Sequence, residues 1–515
     1  MGIATTRAVS LVGMQGHVVE VQAHLAASVP GFTLVGLPDA ALSESRDRVR
    51  AAVVSTGLPW PVKKITVNLS PASLRKQGSA YDLAIAVAIL AGAEGAASPG
   101  LRREGLGRVV HLGELGLDGR VRPVRGVLPS VAAAVAAGFP DVVVAAGDLD
   151  EARLVPGARV VGVASLAELV ARYGGPPELV RDVVTVRPER SVPPGRPPGD
   201  LADVLGQDRP RFALEVAAAG GHHLFLVGPP GAGKTMLASR LPGILPDLTD
   251  REAVEVTAVH SVAGMFDPGS GLIRRPPFED PHHTATAAAV VGGGSGVPRP
   301  GAVSRAHRGI LFMDEAPEFR SDVLETLRQP LEQGELVIHR SGGAARYPAR
   351  FQLVLAANPC PCGMAVGKGL ECSCSPTVRR RYLARLSGPL LDRVDVQVEV
   401  QPVDRVKRLD GGAEPSAAVA ARVLGAREAA RTRLADTPWS TNAEMPGRFL
   451  RDVLRPRPGL LAPIEEAMTA GTLSLRGVDR VLRIAWTVAD LAGRAAPTGS
   501  DVGNALLLRT GGDHG

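Results

Sequence analysis

The residues best suited to chemistry are Gly228, Pro229, Pro230, Gly231, Ala232, Gly233, Lys234 and Thr235, a stretch that fits G-x-x-x-x-G-K-[ST] without a mismatch. Backbone N–H groups of such a loop and the helix start behind it face phosphates, the Lys reaches the outer phosphates, and the hydroxyl binds Mg²⁺. A second run, Gly309-Ile310-Leu311-Phe312-Met313-Asp314-Glu315, is apolar and ends in two carboxylates. Behind a phosphate loop, that spacing assigns Asp314 to the Mg²⁺ shell and Glu315 to the attacking water. Thr235 and Asp314 suffice as protein ligands, because Mg²⁺ keeps several waters and takes only one or two protein oxygens beside phosphate oxygens. A third run, Gln352 to Asn358, ends in an amide able to orient that water or sense the γ-phosphate. These residues predict a chain that binds a nucleoside triphosphate with Mg²⁺.

Two arginines extend the set. Arg393 follows Ser387-Gly388-Pro389-Leu390-Leu391-Asp392. Alone it reads as a surface ion-pair partner; in a ring it becomes an arginine finger for the neighbouring subunit's nucleotide. Arg476 falls in the first turn of a helix predicted to start at Ser474, a poor place for a cation unless an anion is near.

All four cysteines lie in one window, Cys360, Cys362, Cys372 and Cys374. Four thiolates and nothing else suit tetrahedral Zn²⁺, although C-x-C is tighter than the usual C-x₂-C knuckle. The other reading is four reduced thiols packing a loop. His282 and His283 are adjacent, so in an extended chain their rings would face opposite ways and share no metal.

The elements that must position these groups follow from apolar runs and breakers. Leu224 to Val227 reads as the strand before the phosphate loop, and Met236 to Leu241 as the helix after it. Upstream, Val18 to Gln22 and Lys64 to Leu69 alternate like strands, while Leu83 to Ala93 and Val131 to Ala137 read as Ala-rich helices. Residues 186–200 are too rich in Pro and Gly for helix or central strand and form a linker. The expected organisation is therefore 1–185, a mixed αβ unit; 186–200, the linker; 201–410, the nucleotide-binding unit; and 411–515, mainly helical. With 515 residues, several domains are expected. The net charge of +6 permits nucleic-acid contact without demanding it. No apolar run reaches the ~18 residues that span a bilayer, and Met1-Gly2 with Thr6 matches a myristoylation pattern only by chance. Four cysteines in a chain of this length exclude a disulfide scaffold and suggest a reducing cytoplasm.

Phosphate loop, acid strand, Asn-ending strand, late Arg and helical lid, in this order, resemble the AAA+ ATPases. Pro281-His282-His283, Gly292-Gly293-Gly294, Pro298-Arg299-Pro300-Gly301 and Asn358-Pro359-Cys360-Pro361-Cys362-Gly363 are similar to the magnesium-chelatase-like branch, and within it to the ComM/YifB family over nearly the whole chain. The resemblance implies a P-loop core on a parallel sheet with a helical lid. It also implies a homo-oligomeric ring, usually a hexamer, and a DNA translocase driving branch migration during recombination of incoming DNA. Residue by residue it makes Asn358 the first sensor, Arg393 the finger and Arg476 the second sensor. Asp203, Gly206 and Gln207 become the adenine-side entry segment. In such a ring, Leu336 to Phe351 reads as a hairpin lining the pore, with Arg340 and Arg346 near its tip gripping phosphates without reading bases. The loop from Ala263 to Arg275 is a second pore candidate. Arg379-Arg380-Arg381, with Tyr382 and Arg385, reads equally as a solvated face.

Gly113 to Gly126 is similar to the Lon-protease-type domain also found in RadA-like recombination proteins. Ser79 stands where a nucleophile is expected, but no Lys occurs between Lys76 and Lys234, and Ser130 lies near the place for the general base. The implied module is structural rather than proteolytic. The rival reading, shared by the same branch, is a magnesium-chelatase-like motor that remodels a protein partner. An assembly scaffold that uses ATP only as a structural ligand is disfavoured by the presence of both Glu315 and Asn358.

Overall fold

The computed structural model describes residues 2–74, 76, 78–94, 98–187, 199–293, 298–340, 343–365, 371–402, 413–454 and 459–510, apart from the side chains of 40, 41, 340 and 343. Most of the linker, together with Ser341, Gly342, Gly294, Gly411 and Gly412, lies outside these residues.

Long alternating runs near the amino terminus make a seven-stranded mixed sheet. Its order is Gly31–Val35, Lys64–Ser70, Gln15–Ala26, Gly2–Val12, Val110–Leu112, Asp141–Ala145 and Arg159–Val163. Gly2–Val12 and Gln15–Ala26 pair antiparallel as one hairpin, and alternate residues of the second (Val19, Val21, Ala23, Leu25) are buried as the period of two requires. The helix Asp82–Gly92 covers one face and is buried along its whole length. Val127–Ala136 covers the other face.

The second sheet positions the candidate site. Five short strands, all parallel, stand in the order Phe278–Glu279, Ile310–Met313, Gln352–Ala357, Leu224–Val227 and Val396–Glu399. Every residue of Ile310–Met313 and Gln352–Ala357 is buried, the continuous apolar run expected of a strand covered on both faces. One face packs against Asp208–Gly220 and the carboxy-terminal helices Ser416–Arg433, Gly447–Asp452, Ala462–Thr469, Leu475–Leu491 and Gly499–Thr510. The opposite face packs beneath Ser321–Thr326 and the hairpin of Glu335–Arg340 with Gly343–Pro348. His222, fully buried, ties sheet to lid: its Nε2 lies 2.8 Å from Thr487 Oγ1 and its Nδ1 3.3 Å from Asp395 Oδ2.

The two sheets meet at the helix Asp250–Ala263, where Ser261 Oγ donates to the buried Glu151 carboxylate at 2.5 Å, and Leu128 N–H donates to the same oxygen at 3.1 Å. Among the described residues, no helix is long and apolar enough to cross a membrane.

Candidate functional site

In the parallel sheet, Leu224–Val227 lies beside Gln352–Ala357, and Ile310–Met313 lies next outward. Loops at the carboxyl ends of such strands form a crevice. It is a cavity of about 400 Å³ lined by Pro230, Gly231, Gly233, Lys234, Thr235, Met236, Asp314, Glu315, Ala357 and Asn358. The three runs separated in sequence thus converge on one site. A larger cavity, about 540 Å³, opens at the opposite end of the strands beside His223, Gly309 and Trp439, and has neither a glycine loop nor an acid pair.

Glycine is required where the loop turns. Gly233 sits at φ +97°, and a Cβ at Gly228 would meet the Val400 carbonyl oxygen at 2.1 Å. The helix behind the loop is Lys234–Ala238, shorter than expected, because the chain tightens into a 3₁₀ turn, Leu241–Gly243, at Pro242. Lys234 Nζ donates to the carbonyls of Gly228 at 2.7 Å and Pro229 at 2.9 Å, and to Asn358 Oδ1 at 3.0 Å. Burial pushes this ammonium below its usual range, while Asp314 and Glu315 pull it back up. Phosphate oxygens are the natural replacement for those carbonyl acceptors. Thr235 Oγ1 donates to Asp314 Oδ2 at 2.6 Å, so the two oxygens suited to Mg²⁺ are already adjacent, and hard oxygen donors fit that ion. Gln207 Nε2 donates to the Ala232 carbonyl at 3.2 Å and that of Gln401 at 2.6 Å, which places the predicted entry segment against the phosphate loop.

Glu315 has φ +51°, the left-handed region that few non-glycine residues adopt. Its N–H donates to Asp314 Oδ1 at 2.9 Å. Its carboxylate faces His283, whose Nδ1 lies 3.2 Å from Glu315 Oε2, a contact the adjacency of the two histidines does not announce. The expectation for the His pair is corrected here. Residues 283–284 form a turn rather than extended chain, and the rings of His282 and His283 lie side by side with centroids 4.2 Å apart. Pro281, immediately before the pair, was the sequence signal for that turn.

Among the described residues, Arg393 and Arg476 do not line this cavity. Arg393 contacts Glu332 and donates to the Pro389 carbonyl, and neighbouring Arg328, Arg480 and Arg476 crowd it electrostatically. The helix Leu475–Leu491 is capped by Ser474, whose hydroxyl accepts from Gly477 N–H at 3.2 Å. The anion that its first-turn cation calls for is Asp392, 3.7 Å from Arg476 Nη1. The two arginines therefore share one surface, separate from the phosphate loop of their own chain.

The cysteines converge as well: their sulfur atoms all lie within 4.8 Å of one another, with Cys360–Cys362 at 3.4 Å and Cys372 at 3.6 Å from both. Zinc–sulfur bonds of about 2.3 Å in a tetrahedron put sulfurs about 3.8 Å apart. The residues present fit that ion.

The hairpin forms as expected, but Arg346 is not at its tip. It pairs in register with Val337, three positions back from the Arg340–Gly343 end, and its guanidinium reaches Glu335 at 2.8 Å. Its carbonyl accepts from Met14 N–H at 3.3 Å, docking this strand on the amino-terminal sheet. Arg340 keeps its place in the strand, while its side chain lies outside the described residues. The segment after Ala263 is packed rather than free, with Leu272 and Ile273 against Leu248, Ala253 and Val256. In the basic run, Arg385 is engaged by Glu318 at 3.2 Å.

Comparison with known proteins covers most of the chain. The family model described as magnesium chelatase, subunit ChlI, matches residues 200–408; that for subunit ChlI of Mg-chelatase matches 20–148; and that for the ChlI C-terminal region matches 413–509. An uncharacterized protein of Mycobacterium tuberculosis is 51% identical over 511 residues, covering 99% of each chain. The competence protein ComM of Haemophilus influenzae is 39% identical over 495 residues, 96% of this chain and 94% of that protein. The uncharacterized protein YifB of Escherichia coli is 39% identical over 493 residues, 95% and 93% respectively. With a parallel-sheet core, a phosphate loop and this end-to-end likeness, the chain belongs to the ComM/YifB type of magnesium-chelatase-like, AAA+ ATPase-like proteins.

Proposed function

We propose that this chain hydrolyses ATP as a ring motor that moves on DNA. The observation that carries the hydrolytic part is the meeting of Lys234, Thr235, Asp314, Glu315 and Asn358 in one crevice, with Thr235 and Asp314 joined at 2.6 Å. Lys234 and the loop N–H groups hold the phosphates, and Thr235 and Asp314 hold Mg²⁺, which when bound neutralises charge on the β- and γ-phosphate oxygens. Glu315 takes the proton of the attacking water, and Asn358 orients the γ-phosphate end through its side-chain amide. Arg393 and Arg476 lie together, away from this crevice, so they serve a neighbouring subunit's nucleotide. That division makes the site complete only in an oligomer, and we read a hexamer of identical chains.

Family likeness, the net charge of +6 and the hairpin ending at Arg340 and Gly343 support DNA as the track. The amino-terminal sheet serves as a Lon-protease-like assembly module without proteolysis. Its Ser79 hydroxyl is bonded to the Glu114 carboxylate and its Lys76 ammonium to the Pro71 carbonyl, so the two are not paired with each other as nucleophile and base. The four free cysteines support a reducing cytoplasm as its compartment. The test is ATP turnover of wild type and Glu315→Gln, with and without single-stranded or branched DNA, together with native mass in ATP. DNA-stimulated turnover in an ATP-dependent oligomer is expected. The magnesium chelatase matches favour one rival, a motor that remodels a protein partner, which predicts DNA-insensitive turnover.

A further inference from the structure

The turn after Phe278–Glu279 has no part in holding phosphate or Mg²⁺, yet it reaches the acid pair. Among the described residues, His283 is the side chain in ion-pair or hydrogen-bond contact with the Glu315 carboxylate, Nδ1 to Oε2 at 3.2 Å. The imidazole is itself braced. Its ring lies on that of His282, whose Nδ1 is 2.8 Å from the Thr284 hydroxyl and accepts from Thr284 N–H at 3.3 Å. The root of the turn is fixed by a two-pronged bond from Arg305 to Glu279, at 3.0 and 2.7 Å. On the other side of the contact, Glu315 stands at φ +51°. Left-handed backbone is unfavourable for a non-glycine residue, so this pose is imposed by surroundings rather than by local preference. Two braced elements therefore converge on one carboxylate.

We propose that His283 is a positioning residue for hydrolysis: its imidazole, in ion-pair contact with the Glu315 carboxylate, holds that group where it meets the attacking water. The inference rests on the ATPase reading above. Water adds to the γ-phosphorus, the bond to the bridging oxygen breaks with its electron pair leaving on ADP, and the proton goes to Glu315. A carboxylate free to rotate would still be present but would spend little time in that pose.

The experiment uses full-length wild type, His283→Ala, His283→Asn, Glu315→Gln and the His283→Ala/Glu315→Gln pair. Single- and multiple-turnover ATP hydrolysis and binding of a fluorescent ATP analogue are measured for each. His283→Ala is expected to lower kcat about tenfold or more while KM and analogue affinity change less than about threefold. His283→Asn, which places an N–H near the Nδ1 position, should recover much of the loss. In the Glu315→Gln background, removal of His283 should cost little more, since the two act as a unit. Unchanged kcat in His283→Ala, a loss confined to binding, or an undiminished loss in the Glu315→Gln background would each overturn the inference alone. Absence of turnover in wild type would overturn the ATPase reading and this inference with it.

Discussion

Thr235 Oγ1 and Asp314 Oδ2 lie 2.6 Å apart although 79 positions separate them in the chain. The contact exists because the phosphate-loop and acid strands end at the same edge of one parallel sheet, with the Asn358 strand between them. The loop hydroxyl and the acid-strand carboxylate act as one metal-holding unit. Thr235→Ala and Asp314→Asn should each raise the Mg²⁺ concentration needed for half-maximal turnover, and the double variant should add little to either. A magnesium titration of ATP turnover reads this directly.

Lys234 is the cation of the crevice, and its three present acceptors are two loop carbonyls and Asn358. A charge-assisted bond is worth about 1.5–3 kcal/mol, so Lys234→Ala should weaken ATP binding about 10- to 100-fold. Equilibrium titration with a fluorescent analogue measures it, and wild-type affinity in the variant would remove Lys234 from the phosphate site.

Arg393 and Arg476 offer a contrast. Because both sit away from the crevice of their own chain, Arg393→Ala should keep analogue affinity while losing turnover by about a thousandfold. Mixing this variant with Lys234→Ala should restore part of the activity, since each supplies what the other lacks at a shared interface. Native mass with ATP identifies the mixed assemblies.

The four clustered sulfurs predict one zinc per chain. Elemental analysis of protein purified without added metal should find it, and Cys372→Ser should lose it. Metal removal should lower the melting temperature by several degrees, at about 2–4 °C per kcal/mol for a unit of this size. A metal-free wild-type chain with an unaltered melting point would leave four packed thiols as the reading.

Glu255, on the helix between the two sheets, is held at about 2 against an ordinary 4.5; His307 is the chief cause, partial burial opposes it and Arg308 assists. A carboxylate depressed in the folded state contributes stability above its unfolded value, and loses it as pH falls toward the folded one. Denaturation midpoints should therefore drop between about pH 4.5 and pH 2, and Glu255→Gln should flatten that part of the curve. An identical acid limb in the variant would contradict the assignment.

Contiguous stretches carry most of what the sequence by itself determines. The phosphate loop is eight consecutive residues whose backbone must turn at glycines. Asp314, Glu315 and Asn358 are each recognisable as the polar end of an apolar run, because a strand buried on both faces leaves only its tip to solvent. The Ser474 cap was legible for the same reason, being set by a hydroxyl three residues before the N–H it accepts. Tertiary structure alone decided which distant groups meet. It turned the His282–His283 pair onto Glu315, supplied Asp392 as the anion for Arg476, drew Arg346 back to Glu335 and the Met14 turn, and gathered the four sulfurs. Periodicity reports which face of an element is buried, whereas these contacts depend on where a turn aims a side chain and which strand lies beside which, and neither is written in the local pattern.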